Sequence, residues 1–213
     1  NWKRLLMSKF IVVEGLEGAG KTTAQELIKA ILTKQNIEFV TTREPGGTPL
    51  AEKMRDIVKS ETDEILTPEA ELLLMYASRI QLIENVIKPA LDSGKWVLGD
   101  RHDMSSLAYQ GGGRQLDQNL IMPIRNAVLK GFEPDLTILM DLDPKIGLAR
   151  AAARGSLDRI EREQIEFFER TRAVYLSLAD QNPKVVVIDA SKDIDNVQTQ
   201  ITDKLTAWLT INL

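Results

Sequence analysis

The stretch from Phe10 to Leu32 constrains this chain most. Phe10-Ile11-Val12-Val13 is a continuous apolar run rich in β-branched residues, the pattern of a strand buried on both faces. Gly15-Leu16-Glu17-Gly18-Ala19-Gly20-Lys21-Thr22 follows at once, and Ala24, Leu27, Ile28, Ile31 and Leu32 then recur at helical spacing. A strand, a glycine-rich turn and a helix in this order fit the Gly-x4-Gly-Lys-Ser/Thr loop. Each residue type has a physical reason. Glycines let the backbone curl until successive N–H groups point inward at phosphate oxygens. A helix starting near Gly20 adds the positive end of its dipole. Lys21 reaches the β- and γ-phosphates as a point charge, and Thr22 offers a hydroxyl to Mg2+. Residues Gly15, Leu16, Glu17, Gly18, Ala19, Gly20, Lys21 and Thr22 are therefore the candidate ATP-binding loop.

The rest of the chain alternates short apolar runs with helical patterns. Strands are expected at Glu38 to Thr42, Trp96 to Leu98, Leu136 to Met140 and Val185 to Ile188. A long amphipathic helix is expected over about Glu69 to Leu91, and a last helix near Ile194 to Leu209. Alternation of this kind implies an α/β fold, a parallel five-stranded sheet with helices on both faces. Ligands in such sheets bind at the carboxyl ends of the strands. The suspicious residues of this sequence follow strand ends three times, at Gly15, Arg43 and Asp100.

Length and charge limit the function. The 213 residues suit one α/β domain over residues 8–213, and apolar residues, at 43%, suffice for its core. Residues 1–7 stand apart as a leader segment, Asn1 to Leu6 preceding a natural start at Met7, since neither an apolar signal core nor a cleavage site follows Lys3 and Arg4. A net charge of −4 and a pI near 5.2 do not call for a nucleic-acid polymer as partner. The chain has no cysteine, so disulfides, thiolate metal sites and a cysteine nucleophile are excluded. That composition fits a reducing cytoplasm. No apolar run approaches the roughly 20 residues that span a bilayer.

A phosphate loop does not specify a reaction. A GTPase switch would carry Asn-Lys-x-Asp after a later strand, but Met140-Asp141-Leu142-Asp143 stands there. A kinase acting on a small molecule is the remaining class. Its rivals are a kinase for another nucleoside or monophosphate, and a nucleotide sensor without transfer chemistry.

The acceptor side of the sequence narrows this. Arg43-Glu44-Pro45-Gly46-Gly47-Thr48 follows the second strand, Asp100-Arg101-His102 the third. Ser105-Ser106-Leu107-Ala108-Tyr109-Gln110-Gly111 and Leu157-Asp158-Arg159-Ile160-Glu161 come later. Together with the phosphate loop, and in this order from about Ser8 onward, these blocks resemble the bacterial thymidylate kinases, a family of P-loop nucleoside monophosphate kinases. The resemblance implies transfer of the γ-phosphate of Mg-ATP to dTMP, giving dTDP and ADP. It also implies a homodimer and a short lid over about 150–162.

The same resemblance assigns roles. Arg101 would grip the acceptor phosphate, as the fork of an arginine suits; the alternative is a structural salt bridge to Asp100. Asp100 would join Thr22 in the Mg2+ shell, or else cap a helix. Arg79 interrupts the apolar stripe Leu72, Tyr76, Ile83, Val86 and Ala90, so it needs an anionic or planar partner. The resemblance supplies thymine and its phosphate neighbourhood; a structural ion pair is the alternative. Glu17 would face the acceptor near the deoxyribose 3′-hydroxyl. Tyr109 would crowd the sugar 2′ position, Ser105 and Ser106 would meet the base, and Gln110 would join the dTMP-binding set. Arg43 and Pro45 would lie over the acceptor phosphate. The place of a stacking phenylalanine holds Met75, whose thioether can still pack on a π-face.

The family often keeps an arginine inside the phosphate loop, where this chain has Gly18. The charge that meets the transferring phosphoryl group is then expected from the lid. Arg154 is the first candidate and Arg150 the second, among Arg150, Arg154, Arg159 and Arg162. The single histidine, His102, reads as structural, because a phosphate dianion needs no general base.

Overall fold

Parallel strands require a crossover between neighbours, and the sequence supplies a helix for each. The computed structural model describes residues 8–213; the leader read at residues 1–7 lies outside the described residues. β1 (Phe10–Gly15) passes through the phosphate loop into α1 (Lys21–Lys34). β2 (Phe39–Arg43), α2 (Pro49–Lys59) and α3 (Pro68–Leu82) follow. α3 continues through a π-helical segment, Ile83–Ile87, into α4 (Lys88–Asp92). Next come β3 (Trp96–Asp100), α5 (Asp103–Ser106) and a second π-helical segment, Leu107–Gly113. The chain then runs through α6 (Gln118–Leu129), β4 (Leu136–Asp141), α7 (Pro144–Arg154), α8 (Ile165–Gln181), β5 (Val185–Asp189) and α9 (Ile194–Asn212).

The five strands form one parallel sheet in the order β2-β3-β1-β4-β5. β3, β4 and β5 each end on an aspartate one or two residues beyond the apolar run that marks them. Ladder bonds are made by the backbone, so a polar side chain at the strand end does not stop pairing. Asp100 thus sits in register beside both Val13 and Arg43. Alternation along β1 divides the core. Ile11 and Val13 face α1 and α9 through Ile28, Leu32, Leu205 and Leu209. Phe10 and Val12 face the opposite side, against Leu82, Ile83, Ile87 and Leu129. Tyr109, Phe167, Phe168 and Tyr175 extend that second layer over Leu139.

The helix expected over Glu69 to Leu91 is continuous in space but not α-helical throughout. The π-helical segment lies just ahead of Pro89, which has no N–H to donate back to Asn85. Its N-terminus is fixed by the Thr67 hydroxyl, which accepts from Ala70 N at 3.2 Å, and by Pro68 in the first turn. Met75 and Arg79 therefore start from a defined point.

Two backbone approaches set the phosphate loop. Gly15 has φ +144°, and a Cβ there would lie 2.5 Å from the Met140 carbonyl oxygen. A Cβ at Gly18 would lie 2.1 Å from the Gly147 carbonyl oxygen on α7, and one at Gly147 would lie 2.3 Å from that of Glu17. The loop and α7 thus pack backbone to backbone, and position 18 has no room for a side chain. Gly147→Ala should displace the loop and destabilise the fold by about 1–3 kcal/mol. Thermal unfolding checks this, and an unchanged midpoint would contradict it.

Candidate active site

The carboxyl ends of β1, β2 and β3 open into one cavity of about 650 Å3. From the loop, Glu17, Gly18, Gly20, Lys21 and Thr22 line it. From the other side come Arg43, Pro45, Met75, Arg79, Asp100, Arg101, Ser105, Ser106, Tyr109 and Gln110. Arg150 and Arg154 close the rim. Gly15, Leu16 and Ala19 are not on this wall. The Leu16 and Ala19 side chains are buried in the core, so only their backbone can serve a ligand.

Lys21 Nζ donates to the carbonyls of Gly15 (3.1 Å) and Leu16 (3.0 Å). Desolvation, followed by the charge of Arg101, lowers its pKa to about 8, against the pull of Glu17, Asp100 and Glu14. Arg101 stands at the first position after β3 with φ +66°, a conformation uncommon for a side-chain-bearing residue, and its N–H is tied to the Val13 carbonyl at 2.9 Å. Its guanidinium donates to Glu17 (3.2 Å), Tyr109 (3.3 Å), Ser105 (3.2 Å) and Tyr175 (3.3 Å). It also lies 5.0 Å from the centre of the Tyr109 ring. The salt bridge to Asp100 considered from sequence is replaced by this set, because Glu17 and the two tyrosines face Arg101 across the strand ends. Tyr109 in turn donates to both oxygens of Glu17, at 2.9 and 2.7 Å.

Arg79 is 2% exposed, and every edge of its guanidinium is engaged. Nε donates to Glu44 at 2.7 Å, Nη1 to Ser106 at 2.9 Å and Nη2 to the His102 carbonyl at 3.1 Å. The ion-pair alternative is thus realised in the free protein, while Arg79 also reaches the cavity wall. Glu44 is shared with His102 Nδ1 at 2.5 Å. The His102 ring packs edge-on against Phe10 and Phe132. The ring is 1% exposed and does not line the cavity.

Asp100 caps no helix, since α5 begins at Asp103 after His102. Its Oδ1 is buried without a partner among the described residues, in the cavity that Thr22 and Lys21 share. No cluster of three or more His, Cys, Asp or Glu side chains able to hold a metal occurs among the described residues. One carboxylate plus one hydroxyl is the protein share expected for Mg2+, which keeps waters and binds largely through substrate phosphates. Thr22 and the unpaired Asp100 oxygen fit it.

The lid arginines separate cleanly. Arg159 donates to the Val58 carbonyl and to Glu71, and Arg162 pairs with Glu61. Neither lines the cavity. Arg150 donates to the Gly18 carbonyl at 3.2 Å, and Arg154 is 63% exposed with Glu161 at 3.7 Å. Arg43 is held by Glu52 (2.7 Å) and still lines the cavity.

Several residues at the site carry no local sequence signal. Arg55 of α2 lines the cavity and donates to the Pro45 carbonyl at 2.7 Å. Burial, then the neighbouring Arg43 charge, lowers its pKa. Lys59 lines it too, paired with Asp158 at 2.6 Å. Glu14 is wholly buried and accepts from His102 N (2.8 Å), Ser105 Oγ (2.5 Å) and Tyr175 (2.9 Å). Burial raises its pKa, opposed by Arg101 and these hydrogen bonds. A charge at the end of an apolar strand was the one hint of it.

Two cationic bays thus face each other across one cavity, one built on a phosphate loop and the other on arginines. The fold and this site are those of a P-loop kinase. The thymidylate kinase family model matches residues 13–201. A solved structure, the thymidylate kinase of Ehrlichia chaffeensis, is similar at 32% identity, with a TM-score of 0.74 over 93% of this chain and 98% of that one. The chain belongs to the thymidylate kinase family and is an enzyme of that family.

The lowered Lys21 pKa has a measurable consequence. A triphosphate favours the charged lysine, whereas the free protein loses that charge as pH rises through about 8. Above that pH, nucleotide binding should take up as much as one proton, and affinity should fall up to about tenfold per pH unit. Calorimetric titration at pH 9 in buffers of different ionisation enthalpy checks this; binding without proton uptake would contradict it.

Proposed function

We propose that this enzyme transfers the γ-phosphate of Mg-ATP to dTMP, giving dTDP and ADP. The carrying observation is the second bay. Arg79 and Arg101, with Arg43 and Arg55, bring four guanidiniums to the cavity wall opposite the phosphate loop. A nucleotide hydrolase that uses only water as acceptor has no need of them, whereas an acceptor phosphate does. Family membership favours dTMP as that acceptor.

On this reading the phosphate loop and Lys21 hold the donor. Arg101, oriented by Glu17, Tyr109 and Ser105, holds the acceptor phosphate. The acceptor oxygen is already anionic, so no base is assigned. Thr22 and Asp100 would hold Mg2+, which when bound neutralises charge on the β- and γ-phosphate oxygens. Met75, Arg79, Ser105, Ser106, Tyr109 and Gln110 enclose the nucleoside. Glu17, held beneath Tyr109, sits near the sugar edge. Arg154, on the exposed rim, swings over the γ-phosphate as the lid at 150–162 closes, and Arg150 assists it. Closure also excludes water and suppresses hydrolysis. The reading carries with it a single domain over residues 8–213 and a cytoplasmic location, and also the homodimer that the resemblance implies. Among the described residues, no helix is long and apolar enough to cross a membrane.

The test follows ADP formation with dTMP, dUMP, ribosyl-TMP, dCMP, dGMP, AMP and no acceptor. Preference for dTMP supports the reading. Equal ADP release with every acceptor, or with none, would sink it. Lys21→Ala should abolish transfer while keeping the thermal midpoint. Arg154→Ala should lower kcat by roughly a thousandfold with little change in KM for dTMP. An Arg154→Ala enzyme with near-normal kcat, beside a crippled Arg150→Ala enzyme, would reverse the two assignments.

A further inference from the structure

Glu71 is a carboxylate with no exposed surface, on the α3 face that also carries Met75 and Arg79 at successive turns. Its Oε1 accepts from Gln110 Nε2 at 2.8 Å and from Arg114 Nε at 3.1 Å. Its Oε2 accepts from Arg114 Nη2 at 3.1 Å and from Arg159. Burial alone would raise this carboxyl, but Arg114, Arg159 and Gln110 hold it below the usual range. It is therefore ionised and can only accept. Gln110 is equally buried and lines the cavity, and its Oε1 has no partner among the described residues.

An amide between a carboxylate and a cavity has one favourable orientation. Its NH2 must face the carboxylate, which leaves its oxygen for the cavity. We propose that Glu71 is the positioning residue that sets the hydrogen-bond polarity of the base pocket, by holding the Gln110 oxygen toward the ligand. The inference rests on the acceptor reading given above. A pocket whose amide offers an acceptor favours a base with a ring N–H, as at N3 of thymine or uracil. It disfavours cytosine, whose N3 is a lone pair. Glu71 touches no ligand in this account and acts through Gln110. The same carboxylate holds Arg159 of the 155–164 connection, so the orientation is fixed from two sides.

The test compares kcat and KM for dTMP and dCMP in the unmodified enzyme and in Glu71→Gln, Glu71→Asp and Gln110→Leu. In Glu71→Gln one oxygen remains, and Arg114 and Arg159 both claim it. The new NH2 then faces Gln110, which must turn its own NH2 into the cavity. The kcat/KM ratio of dTMP to dCMP should fall about 100-fold, with part of the change a gain for dCMP. Glu71→Asp keeps an acceptor and should keep the ratio, while Gln110→Leu should lose dTMP activity without gaining dCMP activity. A merely structural Glu71 would lower both kcat/KM values together; an unchanged ratio overturns the proposal. Should Glu71→Gln not fold, nitrogen-15 NMR of the unmodified enzyme decides. Slow exchange of the Gln110 NH2 protons, free and with dTMP, supports the proposal, and exchange at the solvent rate overturns it. An unmodified enzyme that ignores dTMP would instead sink the acceptor reading, and the NMR result would still decide the orientation of Gln110.

Discussion

Two carboxylates that hold arginines, one pair buried and the other half-buried, give this site its shape. Glu44 holds Arg79 at 2.7 Å with both side chains nearly inaccessible, and Glu17 holds Arg101 at 3.2 Å. Burying such charges is expensive, and removing one partner of a buried pair costs about 3–5 kcal/mol. The arrangement is thus strongly specified in the folded protein before any ligand arrives. On the proposed reading the acceptor meets cations whose rotamers are already fixed, so less ordering entropy is lost on binding. Tyr109, Tyr175, Ser105 and the His102 carbonyl complete the set by satisfying the remaining donors.

The sheet makes this possible. Five parallel strands bring their carboxyl ends to one edge, so Glu14, Arg43 and Asp100 converge although they lie far apart in sequence. The approach of Gly18 to Gly147 then limits what the phosphate loop itself can carry. No side chain fits at position 18, so a loop arginine is excluded by backbone contact. The two rim arginines, Arg150 and Arg154, lie on α7, the helix that makes this contact.

The phosphate loop and the sheet were legible because they are local. A buried β-branched run, four key positions and a helical period occupy two dozen consecutive residues. Arg79 was legible as an anomaly, a charge within an apolar stripe, but its partner Glu44 was not, being 35 residues away. Glu14 bonds to partners 88 to 161 residues distant, and nothing near it in sequence names them. Arg55 is one cation among Lys53, Arg55 and Lys59 on α2, and only the fold selects which of them face the cavity. Neither alternative weighed for Asp100, a helix cap or an ion pair with Arg101, is realised, because the next helix starts only at Asp103 and the Arg101 guanidinium bonds to Glu17, Tyr109, Ser105 and Tyr175, residues distant in sequence or on the next turn.

The central claim is that Arg101, set by Glu17 and its tyrosines, reads the acceptor phosphate. Calorimetry of thymidine and dTMP with the unmodified enzyme and Arg101→Met tests it most directly. The unmodified enzyme should bind dTMP at least about tenfold more tightly than thymidine. Arg101→Met should close most of that gap while leaving thymidine affinity as it was. A gap that survives the substitution would mean that another cation reads the phosphate, and that Arg101 only braces Glu17.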